Sequence, residues 1–303
     1  MESSPEKSPY RPTVGAGSQD NPAGLLGPEW QKRAEEELNE TPENYRAELD
    51  ALRGMVTNDT NLTVPNKDEF LIRFLRARKY DNKKAFHMLQ RYYLMKLKCP
   101  ELFGCPIPSE CEKVFELQAQ TMLPQRDQLG RRIYIIRVDY FDASRVTIED
   151  IFRANILALE DIVREPETQI SGIAVILDMS GLSLQHAKFF TPYYAKRMVE
   201  LVQETFPLRF KGFHVVNEPF YFDAVMTVLK PFLKEKIRKR IFLHGTDLNA
   251  LHAFFNRDIL PNEYGGNAGS FDNRPWKMKL LSAEVYFNNL KNYGYNTKID
   301  KEI

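Results

Sequence analysis

The sequence predicts an α/β protein, with an all-helical N-terminal lobe followed by a mostly parallel sheet flanked by helices. Three observations carry this. From Pro28 to about Tyr93 the apolar residues recur every three or four positions. From Arg132 onward, short β-branched runs alternate with helical stretches, the pattern of strands joined by right-handed crossovers. Those runs are almost continuously apolar, as strands are when both faces of a sheet are covered.

Residues 1–27 are rich in Ser, Pro, Gly and charge and bury too little apolar surface to offset the entropy of ordering, so a disordered arm is expected. The helical lobe is expected over 28–115. It starts with EWQKRAEEELNE. A second helix begins at Thr41, with Pro42 in its first turn and Tyr45, Leu49, Leu52, Met55 and Val56 on one face. A third holds Phe70, Leu71, Phe74 and Leu75, and a fourth follows Asp81 through Ala85, Met88, Leu89, Tyr92 and Tyr93. The α/β lobe is expected over 116–272. Its strands are Arg132–Val138, Ile173–Leu177, Phe213–Val216 and Ile241–Leu243, separated by helices at Ile148–Arg164, from about Gln185 to Glu204, and at Asn217–Arg240. Residues 273–303 form a polar and aromatic tail in which AEVYFNNLKNY is spaced for a short closing helix.

Composition narrows the function. The net charge is only +1, so nucleic acid is not an expected partner and any phosphate recognition must come from a local patch. No run of eighteen apolar residues occurs, and MESSPEKSPYRP has neither an apolar h-region nor a cleavage signature, which predicts a cytoplasmic protein. Cys99, Cys105 and Cys111 lack Cys-x-x-Cys spacing and read as free thiols. The five histidines have no zinc spacing and read as hydrogen-bonded structural residues, so no metal is expected. There is no Gly-x-Ser-x-Gly elbow, Walker loop or dinucleotide fingerprint, and Asp178-Met179-Ser180-Gly181 reads as a turn ending a strand. No enzyme is expected, and no catalytic residue is assigned.

The segment Asn217–Arg240 is the most informative. Phe222, Val225, Met226, Leu229, Phe232 and Leu233 share one apolar face, whereas Lys230, Lys234, Lys236, Arg238, Lys239 and Arg240 make its second half basic. By itself this describes either a core helix with a solvated basic tip or a helix that handles lipid at a membrane surface.

Five stretches decide between those readings: FLIRFLRARKYD, GIAVILDMSGLSLQHA, FPLRFKGFHVVNEPFYFDAV, LKPFLKEKIRKRIFLHG and LPNEYGG. Together they resemble the CRAL-TRIO lipid-binding family over roughly residues 28–272, in the branch that holds the α-tocopherol transfer proteins, the clavesins and the cellular retinaldehyde-binding protein. The resemblance implies a sheet that floors an apolar ligand cavity and a helical lid that closes it. The lid is the 217–240 helix, kinked at Pro231, with its basic end meeting a phosphoinositide head group.

Residue by residue, the resemblance puts the head-group site at Arg76, Arg209, Lys211, Lys236 and Arg240. It puts the cavity wall at Phe152, Asn155, Ile156, Leu159, Ile173, Leu177, Leu182, Leu184, Met198, Leu201, Val202, Phe210, Phe213 and Val215, and the lid at the six apolar residues named above. Leu177 stands where retinaldehyde-binding relatives carry an acid, although a basic position persists at Arg197, so a retinaldehyde cargo loses support. Asn155 is the polar residue able to orient a ligand hydroxyl or a water. Burying about 400 Å² of ligand offers on the order of 10 kcal/mol at ~25 cal/mol/Å², enough to extract a monomeric lipid that water would not dissolve.

The function implied is a cytoplasmic, monomeric carrier of a hydrophobic lipid such as a tocopherol-like isoprenoid or a retinoid. It would hold no cofactor beyond that cargo and would attach peripherally to endosomal or other phosphoinositide-bearing membranes. The alternative is a phosphoinositide-dependent trafficking adaptor of clavesin type.

Overall fold

A computed structural model of the chain describes residues 26–183, 186 and 191–296. Most of the arm expected at 1–27, and Leu184, lie outside them. Helices α1 (Pro28–Leu38), α2 (Pro42–Asn58), α3 (Asp68–Ala77) and α4 (Asn82–Lys98) build the N-terminal lobe. Thr41 and Asp81 cap α2 and α4 by accepting hydrogen bonds from the amides of Asn44 and Lys84, each satisfying a donor the helix leaves open. The periodic residues Leu49, Leu52, Phe74, Leu75, Met88 and Leu89 are buried together in the principal core. The short strand β1 (Leu62–Thr63) and helices α5 (Pro100–Phe103) and α6 (Glu112–Phe115) complete this part of the chain.

Five strands form the main sheet: β2 (Gln120–Arg126), β3 (Arg132–Arg137), β4 (Ile173–Asp178), β5 (Phe210–Val216) and β6 (Ile241–Leu243), side by side in that order. β3 to β6 are parallel, and β2 runs antiparallel on the edge. Periodicity misses β2 because Pro124 interrupts it. The pairing slips between Met122 and Arg126, the irregular edge setting in which a strand tolerates a residue without an amide hydrogen.

Alternation splits the sheet into two faces. Ile133, Ile135, Ala174, Ile176 and Val216 pack with Leu251 of α12 (Leu248–His252) and with Phe255, Leu260 and Tyr264. The opposite face carries Tyr134, Ile136, Val175, Leu177, Phe213 and Val215, and looks toward α7 (Ile148–Ile162) and α9 (Pro192–Glu200). A reciprocal capping box between Thr147 and Asp150 fixes the start of α7, and α8 (Pro166–Ser171) leads from α7 into β4. His214 is hydrogen-bonded to His244, Nδ1 to Nε2 at 3.1 Å, and Asp178 accepts from the Ser180 amide in the turn after β4.

Two helical expectations need correction. The helix expected from about Gln185 is described from Pro192, and after Glu200 it widens into a π-turn at Leu201–Thr205. The segment 217–240 is not one helix. It runs as α10 (Phe222–Leu229), a 3₁₀ turn (Lys230–Phe232) and α11 (Glu235–Arg238), broken at Leu233, whose ψ is 120°. Pro231 has no amide hydrogen for the carbonyl of Thr227 and its ring crowds that carbonyl, so the chain tightens and leaves the helical path instead of kinking within it.

The residues after 273 close the core. Trp276 and Leu280 of α13 (Arg274–Ser282), Phe287 of α14 (Glu284–Asn289) and Leu290 are buried in the principal core, and β7 (Gly294–Tyr295) pairs antiparallel with β1.

Candidate functional site

Between the sheet and the strap formed by residues 222–241 lies an apolar chamber of about 220 Å³. Val175, Leu177, Phe213 and Val215 form its floor, Phe152, Asn155 and Leu159 of α7 one side, and Met198, Leu201 and Val202 the other. Phe222, Val225, Met226, Leu229 and Leu233 of the strap form its roof. Phe210 joins the wall stacked on Phe213, with ring centroids 5.7 Å apart. Asn155 is the polar exception: its Oδ1 accepts a 2.7 Å hydrogen bond from Tyr134, whose phenol burial holds well above its ordinary pKa and therefore neutral.

Several expected wall residues lie elsewhere. Ile156, one position and 100° round the helix from Asn155, is buried in the core behind α7, and Ile173 opens β4 below the chamber, beside Phe210. Leu182 packs against Met179, Phe222 and Met226 under the strap, outside the chamber wall. Phe232 turns away with the 3₁₀ turn, and its carbonyl accepts Gln203 Nε2 at 3.2 Å. Arg197 is turned toward Glu200 Oε2, 2.7 Å away.

The wall also contains residues that sequence reasoning missed. Ile148 and Ile151 extend the α7 stripe of Phe152, Asn155 and Leu159, and Val175 is two positions from Leu177 on the same face of β4, so both signals were present in the spacing. Ile237 and Ile241 were hidden by the lysines and arginines around them.

A basic cleft adjoins the chamber where the strap returns to the sheet. Arg209 and Lys211 come from the start of β5, Lys236 from α11, and Arg240 precedes β6, its Nη1 donating to the Phe210 carbonyl. Arg33 of α1 joins them. Glu37, one turn further along α1, accepts from Arg33 Nε at 2.6 Å, Arg209 Nη2 at 2.9 Å and Lys211 Nζ at 3.5 Å. Burial alone would raise the Glu37 pKa, but the charge of Lys211, the Arg33 hydrogen bond and Arg209 outweigh it and hold it at about 2. Lys211 is nevertheless pulled down to about 8, first by burial and then by Arg209, because one carboxylate does not offset the surrounding arginines. Lys236 is lowered as well, by burial and then by Arg240, Lys79 and Arg209.

Arg76 does not belong to this cleft. It is buried in α3, with Nε and Nη2 held by Glu40 at 2.7 and 2.6 Å and Nη1 by Gln169 at 2.7 Å. Two of its nitrogens tie α3 to Glu40 within the helical lobe and the third ties it to Gln169 of α8, which commits three of its five N–H groups on a side chain only 5% exposed.

A larger groove of about 730 Å³ runs along the edge strand β2, beside Trp276. Its bases and acids are paired with each other, as in Arg132–Glu165 at 2.7 Å and Lys279–Asp161 at 2.8 Å, so it offers no net charge. The small chamber, lined almost entirely by apolar side chains, is the better ligand site.

A model of the CRAL/TRIO domain matches residues 118–266, and one of the CRAL/TRIO N-terminal domain matches residues 34–91. Among curated proteins, Alpha-tocopherol transfer protein-like from Homo sapiens is 43% identical over 256 residues, 84% of this chain and 75% of that protein. Clavesin-2 from Mus musculus is 36% identical over 285 residues, 92% of this chain and 87% of that protein. The crystal structure of Sfh5 superposes with a TM-score of 0.53 at 12% identity, covering 86% of this chain and 99% of that one, a likeness of fold alone.

Proposed function

Because this chain belongs to the CRAL/TRIO family of lipid-binding and lipid-transfer proteins, we propose that it carries a small hydrophobic lipid in the chamber and exchanges it at phosphoinositide-bearing membranes. The observation that carries the proposal is the alternation at the end of the strap. Ile237 and Ile241 line the chamber, while the residues immediately before them, Lys236 and Arg240, belong to the basic cleft. A head group that draws on Lys236 and Arg240 pulls on the same backbone that seals the lipid. Binding then favours the open strap to the extent that the open state binds the head group better.

The chamber volume of about 220 Å³ falls below the ~300–1,000 Å³ of ordinary small-molecule pockets, so a tocopherol-like isoprenoid or a retinoid fits only as the strap moves outward. No helix among the described residues is long and apolar enough to cross a membrane, and attachment is proposed to be peripheral, through the cleft. Among the described residues the wall carries no Asp, Glu, His, Lys or Arg, and Asn155 orients the ligand.

The test is the double substitution Arg209→Ala/Lys211→Ala. It is expected to lower binding to phosphatidylcholine vesicles containing phosphatidylinositol bisphosphate, and transfer between such vesicles, by about tenfold or more, while loading of a fluorescent tocopherol analogue in detergent stays unchanged. Equal loss of loading and vesicle binding overturns the reading and makes these residues supports of the fold.

A further inference from the structure

Glu37 is not explained by carriage of a lipid. It stands on α1, in the helical lobe, yet its carboxylate reaches across to two cations of β5, residues 172 and 174 positions away. The helix that presents it is firmly seated. Trp30 packs against Gly130, where φ is +73° and a Cβ would lie 2.6 Å from the ring, and Arg33 Nη1 donates to the Leu129 carbonyl at 2.7 Å. Both of its oxygens are used, Oε1 by Arg33 and Oε2 by Arg209 and Lys211. A carboxylate gripped by two guanidinium groups and an ammonium has the acceptor geometry of a phosphate in the same place.

We propose that Glu37 is an internal counter-anion that occupies a phosphate position of the basic cleft, so that an anionic head group must displace it to bind. The inference rests on the head-group reading above and adds to it a threshold set by the protein. Arg33, Arg209 and Lys211 exchange one bound anion for another, and a ligand gains only the difference. A phosphomonoester in the cleft brings up to two charges and three acceptor oxygens against one charge and two oxygens, and a bisphosphate brings more. A single-charge phosphodiester, such as a phosphatidylserine or unphosphorylated inositol lipid, brings no surplus. Glu37 therefore selects for phosphorylated head groups and keeps Arg33, Arg209 and Lys211 occupied away from them.

The test compares wild type, Glu37→Gln, Arg209→Ala/Lys211→Ala and the triple variant on phosphatidylcholine vesicles doped with phosphatidylinositol bisphosphate, with soluble inositol trisphosphate as a second arm. Glu37→Gln keeps the size of the side chain and removes its charge, and a thermal melt checks the fold. Removing the competitor is expected to tighten binding about tenfold at low salt in both arms, the gain shrinking as salt screens it. In the Arg209→Ala/Lys211→Ala background the same change is expected to give no gain. Discrimination against phosphatidylserine vesicles is expected to narrow.

Unchanged or weaker binding by Glu37→Gln, while Arg209→Ala/Lys211→Ala loses binding, overturns this inference alone and makes Glu37 an organiser of the cleft. A gain confined to phosphatidylserine vesicles overturns it as well, because it reflects bulk surface charge. If Arg209→Ala/Lys211→Ala binds as wild type does, the head-group reading fails and this inference goes with it.

Discussion

The chamber and the basic cleft share one strap but are assembled by opposite rules. The chamber draws on residues already neighbours on a helix face or strand face, such as Phe152, Asn155 and Leu159 on α7 and Val175 and Leu177 on β4, and it excludes charge. The cleft draws on positions 33, 37, 209, 211, 236 and 240, which only the fold brings together, and its charges are offset in part by an acid from another lobe. An apolar enclosure follows from local pattern because burial is non-directional. A charge constellation requires the whole topology and the whereabouts of every counter-charge.

The largest test of that division concerns Arg76, which resembles a cleft residue in sequence and is part of the scaffold in the structure. Arg76→Ala strands the Glu40 carboxylate, whose side chain is 8% exposed, without its bidentate partner. Breaking a buried pair from one side costs about 3–5 kcal/mol, to be read from the denaturant midpoint. Arg240→Ala, at the cleft, is expected to change stability far less and vesicle binding far more. If Arg76→Ala keeps wild-type stability but loses vesicle binding, Arg76 belongs to the cleft after all and the division fails.

Arg76 also shows where the sequence stops speaking. The fold was legible because α3 and α4 repeat apolar residues at helical spacing and the parallel strands are short β-branched runs that alternate with helical stretches. The edge strand β2 was hidden by Pro124, and the break of the strap was read as a kink because a proline marks an interruption without fixing where the chain goes next. Chamber residues were legible as faces, with errors of one helical step such as Ile156 named beside Asn155. Glu37 was illegible: an Arg33–Glu37 pair four residues apart on a charged helix has the pattern of a solvated face. No local pattern places it over β5.

An intermediate effect separates the two regions by pH. The Lys211 pKa is drawn down to about 8, so its charge is present below that pH and is lost as pH rises through it. Anion binding requires the charge, so affinity for phosphatidylinositol bisphosphate vesicles is expected to hold to about pH 7 and fall about fivefold to tenfold by pH 9.5. Arg33, Arg209 and Arg240 face Lys211 with their guanidinium groups, and Glu37, at about 2, remains ionised. Lys236, also lowered, is the other cleft group able to titrate in alkali. Lys211→Arg is expected to flatten the profile and Lys236→Arg to leave its midpoint near 8. Ligand loading in detergent, a property of the apolar chamber, is expected to be level across the same range, and a parallel fall in loading would mean the two regions titrate as one.

The smallest effect is expected where the regions are joined. Gln203 lies in the π-turn between Leu201 and Val202 of the chamber wall and the acid Glu204, and its amide grips the strap at its break. Oε1 accepts from the Lys234 amide at 2.7 Å, and Nε2 donates to the Phe232 carbonyl at 3.2 Å. Beside it Glu204 pairs with Lys234, and Arg78 donates to the Gln203 carbonyl at 3.2 Å, which ties the turn to the helical lobe. Both strap groups belong to residues that have left the helix at Pro231 and have no intrahelical partner, so the side chain supplies what the broken helix lacks. Each bond is worth ~0.5–1.5 kcal/mol net, and water recovers part of it at the exposed Lys234, leaving about 1 kcal/mol for Gln203→Ala. That corresponds to about fivefold faster release of a fluorescent lipid analogue in stopped flow, with vesicle affinity little changed, because the roof loosens and the cations of β5 stay in place. Gln203→Glu keeps the acceptor for Lys234 but sets a carboxylate against the Phe232 carbonyl, and should release the ligand faster still. Unchanged release with weakened vesicle binding would assign Gln203 to orienting the basic end of the strap instead of holding the roof of the chamber.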